Sequence, residues 1–244
     1  AVNEVQLARE ALRRITGQPV GELARLQPAF APVAPAPADS GRWAAQAEQH
    51  NLQVRLAQRG YALAQQEVER QRAQRYPKVD LVARYGAQHN ALLAGSPIDV
   101  TERSVGVQLQ LPLYTGGAIS AQIRQAQAQK ERALEQVRQA VRAASLAAET
   151  AYLQLTASRQ QVSALEQAVR SIRLNEQSTQ RGLELGLRTT LDLLDIERER
   201  YAAERDLAAA RYAYLLHYLE LQAAVGGAVT PEALEVVNQF LAAE

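Results

Sequence analysis

The sequence predicts a mainly α-helical chain carrying one membrane-sized β-hairpin, and three observations predict it. Two alternating segments, Val79 to Gln88 and Arg103 to Leu111, each have about the 9–11 residues that a tilted β-strand needs to cross a bilayer. A heptad-patterned stretch of about sixty residues follows them, roughly 100 Å long as a helix at ~1.5 Å per residue. Ala, Gln, Leu, Arg and Glu dominate the composition, as they do in long helices and coiled coils. A bilayer-sized hairpin joined to a very long helix has the parts of a conduit that starts in a membrane and reaches far from it.

The 244 residues suffice for one or two ordinary domains. With 27 basic and 26 acidic side chains, a net charge of +1 gives no support to a nucleic-acid partner. Two Phe and one Trp are thin for a large globular core. The absence of cysteine leaves neither disulfides nor thiolate metal sites. No run of eighteen apolar residues suggests a transmembrane helix, and no signal peptide is visible. The chain has no Met and begins inside a helical pattern of Val2, Val5, Leu7, Leu12 and Ile15, so it reads as the later part of a longer protein.

In chain order, residues 1–17 read as the last turns of a helix, with Gly17 as the C-cap glycine. Residues 18–41 form a Pro/Ala-rich strap, in which Pro28, Pro32, Pro35 and Pro37 impose extended, polyproline-like backbone. It is either a flexible linker or an ordered belt on the outside of a bundle. Asp39 or Ser40 caps the next helix, expected over residues 42–76 and ended by Pro77, which pushes its predecessor out of the α region. Residues 77–114 hold the two strands and a connecting loop at 89–100, where Asn90, Gly95, Ser96 and Pro97 supply turn chemistry. In the first strand Val79, Leu81, Ala83 and Tyr85 alternate with Asp80, Val82, Arg84 and Gly86. In the second, Val105, Val107, Leu109 and Leu111 alternate with Ser104, Gly106, Gln108 and Gln110. A barrel wall shows this alternation, and so does a soluble hairpin laid over a core.

Residues 115–227 read as two long helices joined by a short turn. Leu134, Val141, Ala148, Leu155, Val162 and Val169 recur every seventh residue, interleaved with Val137, Ala144, Ala151, Ser158, Leu165 and Ile172. Such a repeat keeps its seam on a partner only if the helices supercoil. After Gly182 to Gly186, Thr189 caps the second helix with Asp192 three residues on, a capping-box spacing. Leu194, Tyr201, Ala208 and Leu215 then repeat every seven residues until Gly226-Gly227 stops the helix, leaving residues 228–244 as a polar tail. Leu7, Leu12 and Gly17 share the spacing of Leu216, Leu221 and Gly226, a weak echo of an internal duplication.

Three motifs occur in order: Tyr76-Pro77-Lys78-Val79-Asp80-Leu81, then Leu109-Gln110-Leu111-Pro112-Leu113-Tyr114-Thr115-Gly116-Gly117, then Gly186-Leu187-Arg188-Thr189-Thr190-Leu191-Asp192-Leu193-Leu194-Asp195 with Tyr201, Asp206-Leu207-Ala208, Ala210-Arg211-Tyr212 and Tyr214-Leu215 beyond it. Together they resemble the TolC-like outer-membrane efflux and type I secretion channels, over nearly the whole chain and in the second of that family's two structural repeats. The resemblance implies a homotrimer whose protomers contribute strands to one shared twelve-stranded β-barrel, above long antiparallel coiled-coil helices that form an α-barrel tunnel across the periplasm. Pro77, Pro112, Gly116 and Gly117 would be the barrel–tunnel junction, where proline and glycine suit a change of backbone direction. The strap would lie at the equator of the tunnel.

The resemblance also makes the helix turn a periplasmic tip that closes the tunnel at rest and meets an adaptor. Gly186, Leu187, Arg188 and Thr189 would be the adaptor-contact turn, and Arg188, Asp192 and Asp195 the cation-selective gate. Asp192 and Asp195 share one helix face, so three copies would form acidic rings. Acids in a first helical turn are also favoured by capping and by the helix dipole, which offers a purely structural reason for Asp192. Many relatives carry a tyrosine three residues before the turn glycine, whereas this chain has Leu183. His50, His89 and His217 are scattered without ligand spacing, so neither metal nor cofactor is expected. No nucleophile–base constellation, phosphate loop or dinucleotide fingerprint points to an enzyme.

The expected function is a passive outer-membrane conduit of a tripartite export system, extending into the periplasm and driven by an adaptor and an inner-membrane pump. Half a protomer is not expected to conduct alone. The alternative is the periplasmic adaptor itself, which also uses a helical hairpin but flanks it with β segments on both sides. A cytosolic coiled-coil scaffold leaves the bilayer-sized strands unexplained. The cargo is not legible.

Overall fold

The computed structural model describes residues 2–19, 24–27, 30–93, 96–226 and 231–241. Pro28, Gly95, Gly227 and Thr230 lie outside the described residues. The elements are α1 (Val2–Thr16), α2 (Ser40–His50), α3 (Leu52–Ala73), β1 (Lys78–Leu93), β2 (Ser96–Gln110), α4 (Ala118–Glu184), α5 (Thr190–Val225) and α6 (Pro231–Asn238). They divide into two compact units, residues 1–52 with 142–244 and residues 53–141. None of the described helices is long and apolar enough to cross a membrane.

The first unit is built on the heptad seam. Ala144, Ala148, Ala151, Leu155, Ser158, Val162 and Val169 of α4 are all buried, at the spacing the sequence shows, and Leu155 and Val162 have no exposed surface. On α5 the buried series is Leu207, Tyr214 and Leu221, with Ala210 and Leu215 beside it. The expected α5 series, Leu194, Tyr201, Ala208 and Leu215, is therefore corrected in register. Leu194 and Tyr201 are mostly exposed, and only Leu215 joins the core. This helix carries two apolar stripes, so the seven-residue period is legible but the stripe used within the chain is not.

The described residues of the strap, 24–27 and 30–39, pack against the helices of the first unit. Phe30 is buried edge-on to Tyr214, with ring centroids 5.8 Å apart, and tilted on Phe240 at 4.8 Å. The Tyr214 hydroxyl donates to the Val33 carbonyl (2.7 Å), and Trp43 Nε1 donates to that of Pro37 (2.8 Å). Gln27 donates through its backbone N–H to the Phe240 carbonyl (2.9 Å) and through Nε2 to that of Leu241 (2.8 Å). The first two bonds satisfy backbone acceptors that extended, proline-rich chain cannot pair with itself, and the last two tie it to the tail. The tail is not featureless either, since α6 and the residues after it supply this clasp.

The single helix expected over residues 42–76 is two helices. Asp39 caps α2 by accepting from the Gly41 N–H (3.0 Å), and the helix breaks at Asn51, which has ψ 131°. There the Asn51 amide donates through Nδ2 to the Ala224 carbonyl (2.8 Å), one of the last carbonyls of α5, which the helix itself cannot pair. Gly226 ends α5 in the left-handed region at φ +90°, and a Cβ on it would lie 2.3 Å from the His50 carbonyl oxygen. The break lets α2 and the end of α5 approach backbone to backbone. No local sequence signal marks it, because the partner is far away in sequence.

The second unit holds α3, the hairpin and the start of α4. Val54, Val68, Ile123 and Ala126 are its buried apolar side chains. Strands β1 and β2 pair antiparallel, Val79 opposite Leu109, Leu81 opposite Val107 and Ala83 opposite Val105. This register sets Val79, Leu81 and Ala83 beside Leu109, Val107 and Val105 on one face, and a one-residue slip would scatter them. Val79, Leu81, Val105, Val107 and Leu109 all stand open to the surroundings, Val107 at 72 % exposure. The strands are longer than expected: the predicted loop at 89–100 is mostly ladder, with a register shift between Gln88 and Ala91. Side-chain alternation fades there, but backbone pairing continues because an antiparallel ladder needs only its N–H and C=O groups.

Candidate functional site

The end of α4 is a two-part backbone lock. Gly186 lies in the left-handed region at φ +72° with nothing within 4 Å of a built Cβ, so it is glycine for its backbone alone. Its N–H donates to the Leu183 carbonyl (3.0 Å), and the Leu187 N–H donates to that of Gly182 (2.8 Å). That pair of bonds is the Schellman arrangement, which satisfies the last carbonyls of a helix. The Gly182 carbonyl also accepts from the Arg188 N–H (3.1 Å).

Two residues later α5 begins with a full capping box. The Thr189 N–H donates to Asp192 Oδ2 (2.8 Å), the Thr189 hydroxyl donates to the same oxygen (2.9 Å), and the Asp192 N–H donates to Thr189 Oγ1 (3.2 Å). Such reciprocal bonds satisfy donors that an uncapped N-terminus leaves open. The Thr189 N–H, then its hydroxyl and then the Arg188 charge hold the Asp192 carboxyl below its ordinary value. Asp192 therefore has a structural task, as capping chemistry suggests.

The tip gathers Gly186, Leu187, Arg188, Thr189, Asp192 and Asp195 within ten residues of chain. Leu187 is 77 % exposed, and Arg188 and Asp195 are also exposed. Neither Arg188 nor Asp195 makes an ion pair among the described residues. The turn thus presents an apolar side chain, an unpaired cation and an unpaired acid, on a backbone fixed by six hydrogen bonds, from Gly186, Leu187 and Arg188 on one side and Thr189 and Asp192 on the other.

Above the tip an ion network ties α4 to α5. Arg200 reaches Glu176 (2.9 Å) and Glu204 (3.1 Å), and Arg173 reaches Glu204 (2.9 Å). Arg173 first, and then Arg200, holds the Glu204 carboxyl below the usual range. The Arg200 guanidinium also lies 4.0 Å from the Tyr201 ring centroid, a cation–π distance. Further along, Arg211 pairs with Glu166 at 2.8 Å. The pairings between the two helices are not legible in the sequence, because those partners lie 24 to 45 positions apart.

The residues expected at a barrel–tunnel junction belong to the other unit. Pro77 sits between α3 and β1, and Pro112 follows β2; together with Tyr76, Lys78 and Gln110 they line one groove. Gly116 and Gly117 take φ +61° and +84°, and the Ala118 N–H donates to the Thr115 carbonyl (3.1 Å) as α4 starts. Two consecutive positive-φ residues require glycine, so this pair is a backbone requirement. Among the described residues no group of His, Asp and Glu is arranged to hold a metal ion.

Comparison with known proteins fits this architecture. The chain is 31 % identical over 237 residues to the outer membrane protein TolC of Escherichia coli (strain K12), covering 93 % of this chain and 48 % of that protein. It is 30 % identical over 217 residues to the alkaline protease secretion protein AprF of Pseudomonas aeruginosa, covering 86 % of this chain and 44 % of that protein. The open state of the MtrE outer membrane channel of Neisseria gonorrhoeae superposes with a TM-score of 0.70 at 22 % identity, over 93 % of this chain and 51 % of that one, a likeness of fold. The chain spans about half the length of the curated relatives it matches. These relatives are channels and secretion proteins, and the adaptor alternative finds no support among them. A family model described as outer membrane efflux protein matches residues 43–227, and the chain belongs to that family.

Proposed function

We propose that the protein works as a trimeric outer-membrane channel, a passive component of a tripartite system for type I protein secretion or efflux. The observation that carries this reading is the tip: a 67-residue helix ends in a hydrogen-bonded turn that leaves Leu187 bare and Arg188 and Asp195 exposed, outside any ion pair among the described residues. Unpaired charges at a rigid end suit contacts with other subunits. Asp195, with Asp192 on the same face, would contribute to acidic rings at the closed end of the tunnel, and Arg188 would hold the closed arrangement. The turn Gly186, Leu187, Arg188 and Thr189 would meet the hairpin of a periplasmic adaptor. Pro77, Pro112, Gly116 and Gly117 would turn the chain from barrel to tunnel. The open apolar face of the hairpin would meet outer-membrane lipid, with the polar face toward water. Energy would come from an inner-membrane pump, ABC-type or proton-driven.

The test is on the full-length protein. It should migrate as heat-sensitive trimers and give steady ion conductance in planar bilayers. Replacing both acids, Asp192→Ala with Asp195→Ala, should reduce block by multivalent cations. A protein that stays soluble and monomeric without detergent ends the channel reading, whereas unchanged block returns both acids to capping and solvation.

A further inference from the structure

Gly186 and Gly182 are both glycines of the tip, but for different reasons. Gly182 lies inside α4 with ordinary helical backbone, where alanine is the better helix former. Its bare Cα has another use. A Cβ built on Gly182 would lie 2.8 Å from Arg188 Cγ and 3.5 Å from Arg188 Cβ, the first of which is closer than carbon atoms pack. The same residue's carbonyl accepts the Arg188 N–H at 3.1 Å, alongside that of Leu187 at 2.8 Å. Arg188 is thus tethered to Gly182 by its amide and rests its aliphatic stem on the exposed Cα, while its guanidinium makes no ion pair among the described residues.

We infer that Gly182 is a positioning residue for Arg188: its missing side chain is the seat that sets the direction in which the arginine leaves the turn. The inference rests on the gate reading of Arg188 proposed above. A methyl group at this seat would force the arginine stem into another rotamer, without breaking the backbone bonds of the turn. The helix itself would gain a better former, so any damage must come through Arg188.

A double-mutant cycle tests this on the full-length channel, with wild type, Gly182→Ala, Arg188→Ala and the double variant measured for resting conductance in planar bilayers and for thermal melting. Arg188→Ala should raise resting conductance, Gly182→Ala should raise it in the same direction, and the double variant should go no further than Arg188→Ala. In melting, Gly182→Ala should lower the midpoint only while Arg188 is present, because Arg188→Ala removes the Cγ that clashes. If Gly182→Ala conducts like wild type while Arg188→Ala does not, the seat is overturned and the gate reading stands. If Arg188→Ala conducts like wild type, the gate reading of that residue fails, and the seat is judged on melting: coupled losses support it, additive ones overturn it. Should Gly182→Ala not assemble, assembly of the double variant supports the seat and its failure refutes it.

Discussion

At the scale of single residues, the tip shows one carboxylate with two claims on it. Asp192 closes a capping box with Thr189 through three hydrogen bonds, and its carboxyl is depressed by the two it accepts, from the Thr189 N–H and hydroxyl, and by Arg188. A carboxyl whose folded pKa lies below its unfolded value of 3.8 contributes stability that is fully present above that value. The contribution is lost as pH falls through the folded value. Through this group the stability of the tip is therefore expected to be at its full value and not to vary with pH near neutrality, and to fall only in acid. Thr189→Ala should loosen the tip by about 1 kcal/mol at neutral pH and blunt that acid dependence. Amide hydrogen exchange at residues 187–192, followed against pH in wild type and variant, reads both effects; an unchanged acid profile would assign it elsewhere. Asp195 has no such duty in the chain, which makes it the cleaner candidate for a role between subunits.

At the scale of elements, the informative place is the break between α2 and α3. Heptads and prolines announce where long helices run and where they end, but nothing near Asn51 announces a break. The cause is the end of α5, where Gly226 turns left-handed against the His50 carbonyl and Asn51 covers the Ala224 carbonyl. Gly226→Ala meets both a positive-φ penalty and a backbone clash, and is expected to destabilise the unit by about 2 kcal/mol or more. Thermal melting measures it, and a loss near zero would mean that α2 and α5 separate easily. The α5 register belongs to the same lesson. Leu194–Tyr201 and Leu207–Tyr214–Leu221 both repeat by sevens, and only packing selects the second for this chain's core.

At the scale of the whole molecule, much apolar surface among the described residues stays exposed in one chain. Leu146 and Leu153 on α4, Leu194 and Tyr201 on α5, and the Val79–Leu81–Val105–Val107–Leu109 face of the hairpin are all exposed. Scattered apolar residues on a surface are ordinary, but a contiguous strand face is not. Its position in the register, with Leu81 beside Val107, makes a charge there a test of lipid contact. Val107→Arg is expected to cost about 2–4 kcal/mol if the position lies near the bilayer midplane, and little if it lies at the interface. The readout is the fraction of protein recovered as folded trimers in outer membranes, compared with Gln108→Arg on the opposite face. Equal recovery of the two variants would deny the hairpin a lipid face.

What the sequence alone determined is what repeats or has a local cause. The strand alternation, the heptad seam from Ala144 to Val169, the Thr189–Asp192 box and the glycine turns at Gly116-Gly117 and Gly186 all follow from period or from φ, properties of residues close together in the chain. The motifs from Tyr76 to Leu215 were enough to indicate the family. What only the tertiary structure decided depends on residues far apart. It selected the α5 stripe that faces α4, broke the helix at Asn51 and clasped the strap beneath Phe240. In each case the deciding contact joins segments whose proximity no local pattern encodes, and only burial and backbone satisfaction in the folded chain could choose among the alternatives.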